Sequence, residues 1–242
     1  MDPTLQIVIL SVLGPVIGSA IGVARQPSLW FMYNMLAFAA GVMLGISFLS
    51  LIPQAVHLSS PATCVAGILL GSLVMYGLDR LIPHIHPELC EQEQGANLKK
   101  TATYLLFGIF LHNFPEGMAI GMGNVSGSRQ SFLIAMAIAI HNIPQGICTS
   151  APYYHVTGRR LKAFLVSSTT MFPILGGYLV SRYVHPRVTD GTNGLLIAAT
   201  AGLMIYISAD ELIPTSSFKL TNHSTIFSLI GGVVFVVILG LA

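Results

Sequence analysis

Two hexapeptides, His112-Asn113-Phe114-Pro115-Glu116-Gly117 and His141-Asn142-Ile143-Pro144-Gln145-Gly146, begin 29 residues apart and repeat one chemistry. In each, an acid or amide follows the histidine at a helical spacing of four residues, so both side chains share one helix face. Each hexapeptide therefore directs an imidazole nitrogen and an oxygen at the same point, and two such faces can hold a divalent metal. Pro115 and Pro144 lack an N–H and displace the carbonyls of Leu111 and Ile140, so a kink is expected beside each histidine. Gly117 and Gly146 keep the helix surface thin enough for a neighbouring helix to approach.

The elements that must position these residues are membrane spans. The chain has 242 residues, of which 53% are hydrophobic and 8% charged, against about 25% charged in soluble domains. An apolar stretch of about 20 residues crosses the hydrocarbon of a bilayer, and turn or charge signals separate eight such stretches. They lie at about 4–24, 29–52, 62–82, 102–124, 130–153, 161–184, 191–217 and 222–241. The expected fold is all-α, a polytopic membrane helix bundle of eight transmembrane helices forming a single domain over 1–242. The beginning Met1-Asp2-Pro3 lacks the basic stretch of a signal peptide, so the first span is expected to remain a helix.

Loop charge sets the orientation. Arg25, Arg80, Lys99, Lys100, Arg159, Arg160, Lys162 and Lys219 follow spans 1, 3, 5 and 7, whereas only Arg129, Arg182 and Arg187 lie on the other side. That excess places both termini outside the cytoplasm. The longest connection, about 83–100, is then cytoplasmic, and its His84 and His86 can receive a metal leaving the membrane. Cys64, Cys90 and Cys148 show no Cys-x-x-Cys spacing, which indicates neither a disulfide framework nor a thiolate zinc site. The net charge of +2 comes from loop lysines and arginines and gives no reason to expect a nucleic-acid partner; the partners are metal ions and the lipid bilayer.

Ionisable side chains are expensive at membrane depth, so each one inside a span is a candidate functional residue. Of nine acids, only Glu116 and the Asp210-Glu211 pair lie well inside spans. Among eight histidines only His112 and His141 do, and each heads a hexapeptide. Asp210 and Glu211 point about 100 degrees apart on a helix and do not form a chelating pair, although one of them can serve an exit path.

In the fourth and fifth spans, the paired His-Asn-x-Pro-x-Gly hexapeptides resemble the signature of the ZIP (Zrt/Irt-like) family of divalent metal transporters. The resemblance continues through Ala39-Ala40-Gly41-Val42-Met43-Leu44-Gly45, through Ala137-Ile138-Ala139-Ile140 before His141, and through the run from Tyr154 to Phe164. It is closest to the bacterial members. The resemblance implies transport toward the cytoplasm through a mid-membrane metal site between spans 4 and 5. By motif position, His112, Asn113 and Glu116 would come from span 4 and His141, Asn142 and Gln145 from span 5. Span 2 would add Met43 and Ser50, one heptad apart. The sequence departs from the family pattern at Gln145, where a glutamate is usual, and at Phe172, which stands before Pro173 where an acid is common. A second metal position is therefore expected to be weakened or absent.

The leading expectation is a transported divalent cation, zinc first, with iron, manganese or cadmium as alternatives, because imidazole and carboxylate ligands suit zinc. One rival is a metal-binding sensor or disabled transporter, on account of Gln145 and Phe172. Another is an intramembrane metal hydrolase, but the chain has neither His-Glu-x-x-His nor Gly-x-Ser-x-Gly, so no enzyme is expected. Gly41 and Gly45 permit tight helix contacts within or between chains, and a homodimer is compatible with them.

Overall fold

A computed structural model of the protein describes residues 3–24, 28–81, 113–121, 128–217 and 223–241. The described residues form helices and short turns, without a strand. We number the helices α1 (Pro3–Ala24), α2 (Leu29–Ile46), α3 (Ile52–Leu58), α4 (Pro61–Leu81), α5 (113–121), α6 (Ser128–Thr157), α7 (Arg160–Ser168), α8 (Met171–Val184), α9 (Asp190–Ile207), α10 (Ile213–Ser217) and α11 (Ser224–Leu241). Helices stand at seven of the expected spans, and α5 falls within the fourth. Among the described residues, five stretches are long and apolar enough to cross a bilayer: Tyr33–Leu58, Pro61–Arg80, Phe132–Ala151, Arg160–Arg187 and Asp190–Ser217. Val8–Ala24 and Ser224–Gly240 are shorter apolar helices. Large apolar side chains such as Leu69, Leu73, Leu161 and Phe227 are exposed, as they are when lipid is the solvent. The chain is a helical, multi-pass membrane protein.

Local sequence explains the helix starts. Ser28 accepts the Phe31 N–H at 3.2 Å ahead of α2, and Ser60 accepts the Thr63 N–H at 3.1 Å ahead of α4. Thr189 accepts the Thr192 N–H at 3.3 Å ahead of α9. Each hydroxyl satisfies one of the amide donors that a helix start leaves unpaired. Gly158, at φ 66°, lets α6 turn into α7 in a left-handed conformation that glycine adopts without steric cost.

The second span continues to Leu58, past its expected end at 52, whereas the seventh ends at Ser217 as expected, and both carry the same irregularity. A π-turn over Ser47–Leu51 joins α2 to α3, and a π-turn over Ser208–Leu212 joins α9 to α10. Both sit just before a proline, Pro53 or Pro214, whose missing N–H forces the ladder to shift. Ile52 and Ile213 donate instead to the carbonyls five residues back, those of Ser47 and Ser208. The two serine hydroxyls donate in turn to the Met43 and Met204 carbonyls, at 2.9 and 2.8 Å. An internal repeat underlies this match: Gly-x-Met-x-x-Ile-Ser-x-x-x-Leu-Ile-Pro occurs from Gly41 to Pro53 and again from Gly202 to Pro214. Ser50 and Glu211 occupy equivalent places in the two copies.

Glycines set which helices lie closest. A Cβ on Gly14 or Gly18 of α1 would overlap the carbonyl oxygens of Ala139 or Ile143 on α6. A Cβ on Gly41 would overlap the Leu229 oxygen of α11, and one on Gly71 the Ala199 oxygen of α9. The seam between α5 and α8 is equally close, with Gly117 against the Ile174 oxygen and Gly177 against the Phe114 oxygen. Such approach lets backbones pack where lipid leaves little hydrophobic drive for helix association. The helices thus group as α1, α5, α6, α7 and α8 on one side and as the pairs α2 with α11 and α4 with α9 on the other. Gly41 and Gly45, read above as contact faces within or between chains, are both used within the chain, the second against Val236.

Candidate metal site between α5 and α6

Glu116 on α5 and His141 and Asn142 on α6 meet in a fully buried position. His141 Nδ1 lies 2.9 Å from the Ala137 carbonyl, which can only accept, so this nitrogen carries the proton and donates. Its other nitrogen, Nε2, then faces Glu116 Oε1 at 2.9 Å. Asn142 Nδ2 donates to the second carboxylate oxygen, Oε2, at 2.8 Å. The carboxylate is thereby held across two consecutive residues of α6. An imidazole nitrogen without a proton and a carboxylate oxygen are both acceptors, so their close approach requires a proton or a cation between them.

The amides complete the cluster. Asn113 Nδ2 donates to the Thr170 carbonyl at 2.6 Å, and its Oδ1 is buried without a hydrogen-bond partner among the described residues. Asn142 Oδ1 is in the same position. Leaving a buried acceptor unpaired costs about 1–3 kcal/mol, and a desolvated cation is the species that two such oxygens beside a carboxylate would stabilise. Gln145 is buried one helical turn beyond His141, and its backbone carbonyl accepts from Thr149 Oγ1 at 3.1 Å. Among the described residues, no group of three or more His, Cys, Asp or Glu is placed to hold a metal. Among the described residues, the donor set at this point is thus one carboxylate and one imidazole extended by amide oxygens.

The structure gathers the expected site residues unevenly. Glu116, His141 and Asn142 are in contact, and Asn113 and Gln145 lie within one turn of them on the same helices. Met43 is fully buried in the hydrophobic core of α2. Ser50 does not join the Glu116–His141 pair; it lines a cavity of about 330 Å³ between the π-turn after α2, α6 and α11, together with Ile46, Ile134 and Ala137. Since Ala137 also supplies the carbonyl that orients His141, the cavity borders the site. Asp210 is exposed and Glu211 half-buried in the second π-turn. His84, His86 and His112 lie outside the described residues, as does Cys90. Cys64 and Cys148 are buried free thiols.

Phe172, at the position before Pro173, is 53% exposed and does not join the buried cluster. Span 6 contributes a backbone carbonyl instead, that of Thr170. Helical periodicity gave no sign of this oxygen; the signal was Pro173 behind Thr169-Thr170, a local break in the span. Sequence reading also missed a hydroxyl cluster at the back of α6. Ser167 Oγ contacts Thr149 Oγ1 and accepts from Ser19 Oγ at 2.9 Å, and Thr149 Oγ1 donates to the Gly146 carbonyl at 3.0 Å.

Comparison with known proteins agrees with the motif. A family model described as ZIP Zinc transporter matches residues 84–239, more than half of the chain. Curated relatives named Zinc transporter ZupT from Salmonella paratyphi A, Salmonella newport and Salmonella enteritidis are each 36% identical over 240 residues. Those alignments cover 96% of this chain and 93% of each relative. The chain belongs to the ZIP zinc transporter family.

Proposed function

We propose that this chain carries divalent metal cations, zinc foremost, across a membrane through the site between α5 and α6. The observation that carries the reading is the fully buried Glu116 carboxylate, clasped by His141 Nε2 and Asn142 Nδ2 of the membrane-spanning stretch Phe132–Ala151. Membership of the ZIP family and the printed name of the ZupT relatives support it, and neither supports a sensor or a hydrolase. A dication arriving at the pair replaces whatever lies between Nε2 and Oε1, and takes Asn113 Oδ1 and Asn142 Oδ1 as further oxygen ligands. His112 is assigned to the same site by its place in the motif. Imidazole with carboxylate suits zinc, while iron, manganese and cadmium remain substrates to be compared.

Transport toward the cytoplasm is the direction that the family resemblance implies, and loop charge orients the chain for it. With both termini outside the cytoplasm, the cavity beside Ser50 opens on the outer side of the site, and His84, His86, Asp210 and Glu211 lie toward the cytoplasmic side as an exit path. Passage requires alternating access, in which helices rearrange around the ion. The glycine-locked seams tolerate little change of spacing, so rearrangement falls at the seam of α2 with α6, where the cavity already separates bulky side chains. A homodimer would have to use other faces than Gly41 and Gly45, which seat Leu229 and Val236.

The test is uptake of zinc, iron and manganese into proteoliposomes by the chain and its His112→Ala and Gln145→Glu variants. Zinc uptake by the chain, lost in His112→Ala, is the expected result. Gln145→Glu adds a second carboxylate and tightens zinc binding by about 10-fold or more, the scale of one charge-assisted contact, with slower release. Uptake seen only in Gln145→Glu would identify a disabled transporter and defeat the reading.

A further inference from the structure

The sixth span is broken at Thr169–Thr170, and its halves are fastened to different partners. Downstream of the break, α8 rides on α5. A Cβ on Gly117 would overlap the Ile174 carbonyl, and one on Gly177 would overlap that of Phe114, so these two backbones are in direct contact. Upstream of it, α7 is fastened to the opposite helix of the site. Ser167, one turn before the break, contacts Thr149 of α6 and Ser19 of α1, and its hydroxyl also reaches the Gly146 carbonyl at 3.4 Å. The break therefore spans between the two helices that carry the metal ligands.

Its conformation is set by local chemistry. Pro173 has no N–H for the Thr169 carbonyl, which accepts from Phe172 N at 3.0 Å in a tighter turn. Thr169 and Thr170 N–H groups likewise bond three residues back, to Val166 and Ser167, and both threonine hydroxyls return to those same carbonyls. One side chain of the site reaches this turn: Asn113, whose Nδ2 holds the Thr170 carbonyl at 2.6 Å while its buried Oδ1 has no partner among the described residues.

We propose that Asn113 is a coupling residue, one amide that takes the ion at Oδ1 and the break of the sixth span at Nδ2, so that occupancy of the site is transmitted to the strap joining α5 to α6. This rests on the transport reading above. An ion at Glu116 and His141 draws α5 and α6 together. The strap must follow, because α8 moves with α5 and α7 with α6. The Asn113 amide fixes where along the strap the change is absorbed. In this chain, with Phe172 outside the buried cluster, it supplies a contact between site and span.

Asn113→Asp separates the two ends of the amide. It keeps an oxygen for the ion and adds charge, but sets a carboxylate against the Thr170 carbonyl in place of a donor. The measurement is hydrogen exchange of the amides in 165–175 with and without zinc, on the full chain in nanodiscs, beside zinc affinity and uptake. For the chain itself, zinc is expected to slow exchange in 165–175 by about 10-fold, the scale of one buried hydrogen bond. Asn113→Asp is expected to bind zinc at least as tightly, to lose that protection, and to transport about 10-fold more slowly, again the scale of one hydrogen bond. Asn113→Ala is expected to lose both affinity and protection. Wild-type zinc protection of 165–175 in Asn113→Asp overturns the proposal, as does zinc binding by the unaltered chain without any protection there. A chain that binds no zinc at all overturns the transport reading instead, so the two failures are distinct.

Discussion

Glu116→Gln brings zinc uptake into proteoliposomes close to background while leaving the chain folded. Among the described residues Glu116 is the only buried acid, and its carboxylate is the one negative charge at the point where α5 and α6 meet. A dication stripped of water needs that charge, because imidazole and amide oxygens offer only dipoles. Glutamine preserves the volume and an oxygen for Asn142 Nδ2, so the helices keep their spacing. Zinc affinity is expected to fall by about 100-fold, the upper range for one charge-assisted interaction, and calorimetry on the purified protein measures it. Glu116→Ala is the more damaging change. It leaves His141 Nε2 and Asn142 Nδ2 buried without their shared partner, at about 1–3 kcal/mol each, and so adds a loss of thermal stability. Zinc bound by Glu116→Gln at the affinity of the unaltered chain would remove Glu116 from the site.

Much of this was legible in the residues. Composition and eight apolar stretches gave the class of fold, because lipid demands long apolar helices and little else can span it. The four-residue spacing of Glu116 behind His112, and of Gln145 behind His141, puts each pair on one helix face, and the structure brings Glu116 against His141 and Asn142. What spacing could not give was the partner across the helix gap. His141 pairs with Glu116 through Nε2 because Ala137 takes Nδ1, and that choice depends on packing depth. The Thr170 carbonyl was equally hidden, since a backbone acceptor leaves no residue-type signature; only Pro173 marked the break that presents it. Met43, Ser50, Asp210 and Glu211 were singled out one by one, yet the repeat from Gly41 to Pro53 and from Gly202 to Pro214 that contains them was in the sequence throughout. Hydropathy windows average over such a pattern, and the second span runs on through its π-turn to Leu58, past its expected end. Ser50 lies in the first π-turn and lines the cavity that Ala137 shares, a placement that hydropathy alone does not reveal.

Gly117→Ala and Gly177→Ala are expected to be the most destabilising single methyl additions in the transport site. At most positions of a helix this exchange is favourable by about 0.5–1 kcal/mol, because alanine has less backbone entropy to lose. Here the new methyl group would overlap the carbonyl oxygen of Ile174 or Phe114, backbone atoms that cannot rotate aside as a side chain does. The only relief is to part α5 from α8. That separation removes close packing along the seam and pulls the Asn113 amide from the Thr170 carbonyl, with an overpacking cost of about 3 kcal/mol or more. Gly77→Ala supplies the control, since a Cβ there meets nothing within 4 Å. In a thermal melt of the detergent-solubilised protein, Gly77→Ala is expected to match or exceed the unaltered chain, whereas Gly117→Ala and Gly177→Ala melt well below it and take up little zinc. If all three alanine variants melted alike, the close contact of α5 with α8 would be wrong. The placement of Asn113 against the broken sixth span would then have to be abandoned with it, since the same seam fixes both.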